Sequence, residues 1–571
     1  MKKKPFRSVF ALVVAVVLLL GLHMPRASAI TPDEFTQLGF GYFPHFGINT
    51  YLGKTGPDGM PHPNTDKDAF LPTNFDADQW VKAAYDAGMD YVTVVAKHRY
   101  GWAAWQTNLT DYGIANMTNY SNLDIVQAVA DACRRYGLKL AIYFNSDDKY
   151  KYPNGVTGNS GYTAFAKQEL DELLTRYGEV IAVWFDHAKV LTNAQVQEFT
   201  DFVHEKQPGA LALFHDDDKE SEVKLHELIQ GPPPVGNDNP WEVAWKVYDE
   251  YWAFTDNDGP ASDWDTAAEV AGKLHYYNMR YSALSLSVPP GPNGLISPAG
   301  VALMQQVGQL PRWRQTDDRD AAIVYGGTWT ANTNSSFFKS TGKNSNETNA
   351  YAEYAFTGSG IRLVTKKTPS GGIFDIYVDG VKVATYDSYA AQQKFDVVAY
   401  ETTSLADGPH TIKMVVTGAK NPNAANNNVN LDLFEYAKQR PPLTPIDTSV
   451  DDTNAGIVYT GAWSHVSRSS SYEGTISYSN TLNAQAEYTF TGTGVKLYTQ
   501  KGPGGGKFDI YIDGVLQTTY DSYAASQNSQ QLAFDLQNMA SGTHTVKIVV
   551  THTKNANANN YNVHLDYLTY N

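Results

Sequence analysis

Cysteine is almost absent. Cys133 is the single one in 571 residues, so no intramolecular disulfide can form and any stability must come from packed cores. Cys133 shares a helical face with Ile125 and Val129 in "NLDIVQAVADACRRYG", which places it in a core and not at a nucleophilic site. Long apolar runs are confined to "VFALVVAVVLLLGL" at 9–22, behind Lys2, Lys3, Lys4 and Arg7 and ahead of the small-residue stretch "ASA" at 27–29. That pattern reads as a secretory signal peptide over residues 1–29, with a secreted, extracellular chain expected from Ile30. No later segment is apolar enough to cross a bilayer, so no membrane insertion of the mature chain is expected. Positive charge is also scarce. With 44 Lys and Arg against 60 Asp and Glu the net charge is −16, which argues against nucleic acid as a partner. Neither H-x-H nor H-E-x-x-H occurs, so a metal-dependent hydrolase lacks its most specific signature and no catalytic cofactor is expected.

What is abundant is aromatic: 13% of residues, including 37 tyrosines and 11 tryptophans, suited to sugar-stacking platforms and to β-rich cores alike. The second half of the chain is duplicated. "AEYAFTGSGIRL" at 352–363 recurs as "AEYTFTGTGVKL" at 486–497, and "FDIYVDGV" at 374–381 as "FDIYIDGV" at 508–515, each at an offset of 134 residues. Alternating β-branched, aromatic and polar residues broken by Gly, Asn and Asp predict an antiparallel β-sandwich in each copy. The copies are assigned to residues 316–438 and 450–571, joined by a proline-rich linker over 439–449.

Residues 30–315 have another character. "DYVTVVAKH", "LKLAIYFN", "EVIAVWFD" and "ALALFHD" are near-continuous apolar runs separated by amphipathic helical patterns such as "DADQWVKAAYDAG". This alternation predicts a (β/α)8-like TIM barrel, with an open doubly wound sheet as the alternative. No Gly-rich turn follows the first strand, which weakens the open sheet. In a barrel, catalytic groups project from the carboxyl ends of the strands. Here the strands end in His45, His98, Tyr143 with Asn145, Asp186 and His215. A carboxylate ending a buried strand beside Trp184 suits a glycosidase nucleophile, which would need a second carboxyl group as proton donor.

Five segments, in order, resemble the α-L-fucosidases of glycoside hydrolase family 29 over residues 39–300. "GYFPHFG" resembles that family's G-x-F-x-H-W-G, and "LPTNFDADQWVKAAYDAGMDYVTVVAKHRYGWAAWQT" its F-P-x-x-F-D-A-x-x-W…K-H-H-D-G-F. "GLKLAIYFN" resembles G-L-x-x-G-x-Y-Y-S, "VWFDHA" resembles W-F-D-G, and "ALSLSVPPGPNGLISP" resembles L-L-N-V-G-P-x-x-D-G-x-I. The resemblance implies a retaining exo-α-L-fucosidase acting on fucosylated glycans. It places the nucleophile at Asp186, and His45, His98 and Tyr143 on the sugar hydroxyls, with Trp184 forming the pocket. For the acid/base it implies Glu227, 41 residues past Asp186 and 15 before Glu242; Glu242 is the second choice, and Glu222 and Glu220 follow. Two departures leave a related 6-deoxy or galacto-configured sugar, or a weakened sugar-binding protein, as alternatives. Arg99 stands where the family has a second histidine, and "FHDDDK" lacks the arginine of an N-D-R motif, His215 taking that place. The duplicated copies resemble galactose-binding-like modules, whose Asn-rich loops at 420–428 and 554–562 suit sugar or calcium contacts.

Overall fold

The computed structural model describes residues 30–52, 68–216, 218–227, 231–247, 252, 264–437, 448–468, 470–492, 494–536, 539 and 542–570. The expected signal peptide and all but the last two residues of the linker lie outside them. Among the described residues no helix is long and apolar enough to cross a membrane.

Eight parallel strands form the first sheet: β1 (Phe40–Tyr42), β2 (Tyr91–Lys97), β3 (Lys139–Asn145), β4 (Ala182–Asp186), β5 (Leu211–Phe214), β6 (Lys224–Glu227), β7 (Trp241–Lys246) and β8 (Ser282–Ser287). Their order, β5-β4-β3-β2-β1-β8-β7-β6, is that of a barrel opened between β5 and β6. At that seam side chains replace the ladder. The Ala212 N–H donates to Glu222 Oε2 at 2.7 Å and the Phe214 N–H to Ser221 Oγ at 2.8 Å. Glu222, a late candidate for the acid/base, is therefore a seam residue, and Glu220 is exposed.

The longer helices among the described residues start where the sequence provides a cap. Asp76 accepts from the Asp78 and Gln79 N–H groups ahead of Ala77–Asp86, and Asp124 caps Ile125–Tyr136, which ends at a left-handed Gly137. Thr192 with Gln195, and Thr266 with Glu269, form reciprocal capping boxes on Asn193–Lys206 and Ala267–Asn278. The helices bury their apolar stripes on the outer face of the sheet, in a core that includes Trp80, Val129, Cys133 and Leu170. Burial pushes the Cys133 thiol up, as a core role requires. A second cluster fills the barrel, with Tyr91, Ala141, Leu211 and Leu225 at its base and Tyr143 and Trp184 towards the strand ends.

The two repeats are antiparallel sandwiches with one topology. In the first, a sheet ordered Ile323–Gly326, Tyr351–Gly358, Gly408–Lys420, Gly372–Val378, Val381–Asp387 faces one that contains Gly360–Lys367 and Leu433–Ala437; the second repeats that order strand for strand. Left-handed residues recur at the repeat spacing, Lys339 with Glu473 and Asp379 with Asp513. By contacts the chain forms two compact units, Met1–Arg440 and Pro441–Asn571. The first sandwich thus belongs with the barrel. Tyr281 of the barrel packs with Phe338, Val364 and Leu433, and His275 Nε2 lies 2.9 Å from Glu435 Oε1. Ser340 Oγ donates to the Gly236 carbonyl at 2.5 Å.

Candidate active site

The strand ends converge on Asp186. Register places Tyr143 beside Trp184 and Asn145 beside Asp186, so β3 and β4 bring a phenol, an amide and a carboxylate to one rim. Asp186 is 5% exposed and its two oxygens are fully engaged. Oδ2 accepts from the Tyr143 hydroxyl at 2.5 Å, Asn145 Nδ2 at 3.0 Å and His187 Nδ1 at 2.8 Å. Oδ1 accepts from the His187 N–H at 2.7 Å and His215 Nδ1 at 2.9 Å. Burial alone would raise this carboxyl; the bonds from His187 and His215 overcome it and hold Asp186 well below its ordinary value.

Glu227 ends β6 across the mouth. Its side chain is 24% exposed, and Oε1 lies 3.8 Å from His215 Nδ1. Asp186, His215 and Glu227 each offer one ligand atom within 4.8 Å of the others. Burial, and then the charge of Asp186, raise the Glu227 carboxyl above its ordinary value. Two carboxyl groups are therefore pushed in opposite directions within one small space, which divides ionised from proton-bearing roles.

Rings wall the pocket, one from each of four successive strand ends. His98 stacks on Tyr143 at 5.6 Å, Tyr143 on Trp184 at 5.6 Å, and Trp184 meets His215 at 5.2 Å. His45, from the segment after β1, lies 6.1 Å from Tyr143. Burial lowers His45 to about 3 and His98 to about 4, so both present neutral imidazoles at neutral pH. Neutral imidazoles can both donate to and accept from hydroxyl groups.

Of the residues singled out in the sequence, Asp186, Glu227, His45, His98, Tyr143, Trp184 and His215 come together. Arg99 does not join them. Its side chain is 40% exposed and its guanidinium reaches Asp147 Oδ2 at 3.5 Å, on the flank of the loop after β2. Glu242 is also elsewhere. It opposes Leu225, two residues below Glu227 along the sheet, where the Tyr91 hydroxyl (2.7 Å) and Trp184 Nε1 (3.1 Å) donate to it. It is 1% exposed, and burial raises it to about 7. It braces Trp184 from beneath, with no path to a leaving group. Three further neighbours carried no strong sequence signal: His187, Lys246 at the end of β7, and Trp252, whose ring lies 5.0 Å from His45 and 5.5 Å from Lys246 Nζ.

The family model described as Alpha-L-fucosidase matches residues 25–313. The chain belongs to the alpha-L-fucosidase family. Alpha-L-fucosidase 1 of Arabidopsis thaliana is 28% identical over 306 residues, 48% of this chain and 58% of that one. The A type blood alpha-D-galactosamine galactosaminidase of Flavonifractor plautii is 32% identical over 254 residues, 44% of this chain and 22% of its own. Among solved structures, alpha-L-fucosidase AlfC from Lactobacillus casei matches with 21% identity and a TM-score of 0.42, covering 48% of this chain and 96% of that one. The chain thus spans well under two thirds of the length of either curated relative. For a member of this family, the positions of Asp186 and Glu227 become candidate catalytic positions.

Proposed function

We propose that the protein is a secreted, retaining exo-α-L-fucosidase that releases L-fucose from glycans or glycoconjugates. The observation that carries the reading is the approach of Asp186 and Glu227, with one carboxylate oxygen of each within 4.8 Å of the other. Retaining glycosidases hold their carboxyl groups about 5–5.5 Å apart, whereas inverting ones need about 6.5–9.5 Å to admit a water. In this mechanism Asp186 attacks the anomeric carbon as Glu227 protonates the departing oxygen. Glu227, now ionised, then deprotonates a water that attacks the same carbon, breaks the Asp186 ester and frees the sugar. Export rests on the basic and apolar pattern of residues 1–29.

A second reading has its own observation, since Asp186, His215 and Glu227 are also close enough to bracket a divalent cation. A galacto-configured substrate has support too. Besides the galactosaminidase, the A type blood N-acetyl-alpha-D-galactosamine deacetylase of Flavonifractor plautii matches, at 39% identity over 119 residues and 15% of its length. Those two relatives are named for different chemistries on one kind of glycan, which favours a shared glycan-binding part. We assign that part to the duplicated sandwiches as a proposal. Calcium in the sandwiches is a further proposal. Among the described residues no three His, Cys, Asp or Glu side chains meet there, and Asp432 accepts the Phe338 N–H, so an ion would draw on Asn side-chain or backbone carbonyls.

Hydrolysis of 4-nitrophenyl α-L-fucoside, compared with the 4-nitrophenyl galactosides, with and without chelator, tests the assignment. Chelator-resistant cleavage of the fucoside is the expected result. Preference for a galactoside would change the sugar, and loss of activity on chelation would favour the metal reading.

A further inference from the structure

His187 occupies a backbone conformation that its side chain disfavours. At φ 53° it is left-handed, and among the described barrel residues it shares that state, for non-glycines, with Tyr281 alone. A Cβ in this region crowds the backbone, so glycine is the ordinary occupant. The family motif resembled by "VWFDHA" has glycine here. A residue that accepts strain beside a nucleophile is a candidate for a role that glycine cannot fill.

The side chain has such a role available. Its Nδ1 lies 2.8 Å from Asp186 Oδ2, and its own N–H donates to Oδ1. With Nδ1–H donating, a neutral imidazole keeps an acceptor lone pair on Nε2. Among the described residues Nε2 has no partner, and the side chain is 27% exposed.

We infer that His187 is a sugar-contacting, positioning residue on the β4 loop. Its Nδ1–H fixes Asp186, and its Nε2 accepts a hydroxyl of the bound sugar. This rests on the glycosidase reading of the same pocket.

The test compares the full-length wild type with His187→Gly and His187→Asn. Glycine suits the positive φ, so His187→Gly should melt no lower than wild type. Its kcat/KM on 4-nitrophenyl α-L-fucoside should fall about 10- to 100-fold, as expected for losing one or two hydrogen bonds to a charged group or substrate. Its affinity for L-fucose by calorimetry should weaken by roughly tenfold. The acid limb of kcat/KM should move to higher pH, because one donor to Asp186 is lost. The groups facing Asp186 that remain are Tyr143 and Asn145 from β3, His215 after β5, Glu227 from β6, and His45 and His98, all unchanged in the variant. His187→Asn, which tolerates the left-handed region and keeps an amide donor, should recover part of the loss. An acid limb and sugar affinity unchanged in His187→Gly would overturn the inference while leaving the enzyme reading intact. If the wild type cleaves a galactoside and not the fucoside, the same comparison runs on that sugar. A wild type that neither binds L-fucose nor cleaves any aryl glycoside would overturn both.

Discussion

At Asp186 burial and hydrogen bonding act in opposite directions, and hydrogen bonding wins; at Glu227 burial wins, helped by the charge of its neighbour. A glycosidase working through this pair needs Asp186 ionised and Glu227 protonated. Activity should therefore rise with pH through the depressed Asp186 and fall as pH climbs through the raised Glu227. The acid limb should lie below the ordinary carboxyl range and the alkaline limb above the ordinary glutamate value, as macroscopic constants of the pair. Asp186→Ala should reduce kcat by roughly 10³- to 10⁶-fold while the protein still folds, because a covalent route has no substitute nucleophile. Near-normal turnover would remove Asp186 from that role. Glu227→Ala should slow substrates with poor leaving groups by roughly 10²- to 10⁴-fold and activated aryl glycosides far less. Added azide should restore that variant and yield a β-fucosyl azide; equal losses on both substrate kinds would argue against an acid at 227. Most of this cluster was legible because strand-end residues follow apolar runs. His187 was not, since its contribution depends on a left-handed backbone that "FDHA" does not announce.

At the scale of the element, two residues of register decide what a carboxylate can do. Spacing put Glu227 ahead of Glu242, and β6 and β7 pair so that Glu227 opposes Ala244 at the rim and Glu242 opposes Leu225 inside. The short β6, "KLHE", lacks an apolar run, so its strand character comes from pairing with β7 and not from local pattern. That is why spacing could nominate both glutamates and rank neither by environment. Buried beneath Trp184 and raised to about 7, Glu242 is protonated in the fold at pH values where the unfolded chain has lost the proton. Its contribution is thus favourable below about pH 4.5 and is lost as pH rises towards 7, by about 3 kcal/mol in all. Glu242→Gln, which mimics the protonated form, should flatten that part of the stability curve in denaturant titrations at pH 5 and pH 8. An equal pH dependence in wild type and variant would show that Glu242 ionises without penalty.

Across the whole molecule, barrel and repeats were both visible in sequence, from apolar runs in one half and the 134-residue offset in the other. The grouping of the first sandwich with the barrel was not, because it rests on dispersed contacts such as Tyr281 with Phe338 and His275 with Glu435. A chain ending at Arg440 should therefore keep its melting temperature and its rate on small aryl glycosides. One ending near residue 315 would expose Tyr281 and the other barrel residues that the sandwich covers, and should melt markedly lower. If both truncations behaved alike, the sandwich would be an independent attachment. On a multivalent glycan, loss of the second copy should weaken binding preferentially, since two linked weak sites can gain roughly 10²- to 10⁴-fold in avidity.

On the proposed mechanism the sugar passes through a covalent intermediate on Asp186. Proton NMR of the first sugar released from an aryl α-L-fucoside tests it most directly, because double displacement returns the original anomer. α-L-Fucose should appear first, with the β anomer growing in later by mutarotation. First appearance of β-L-fucose would contradict it.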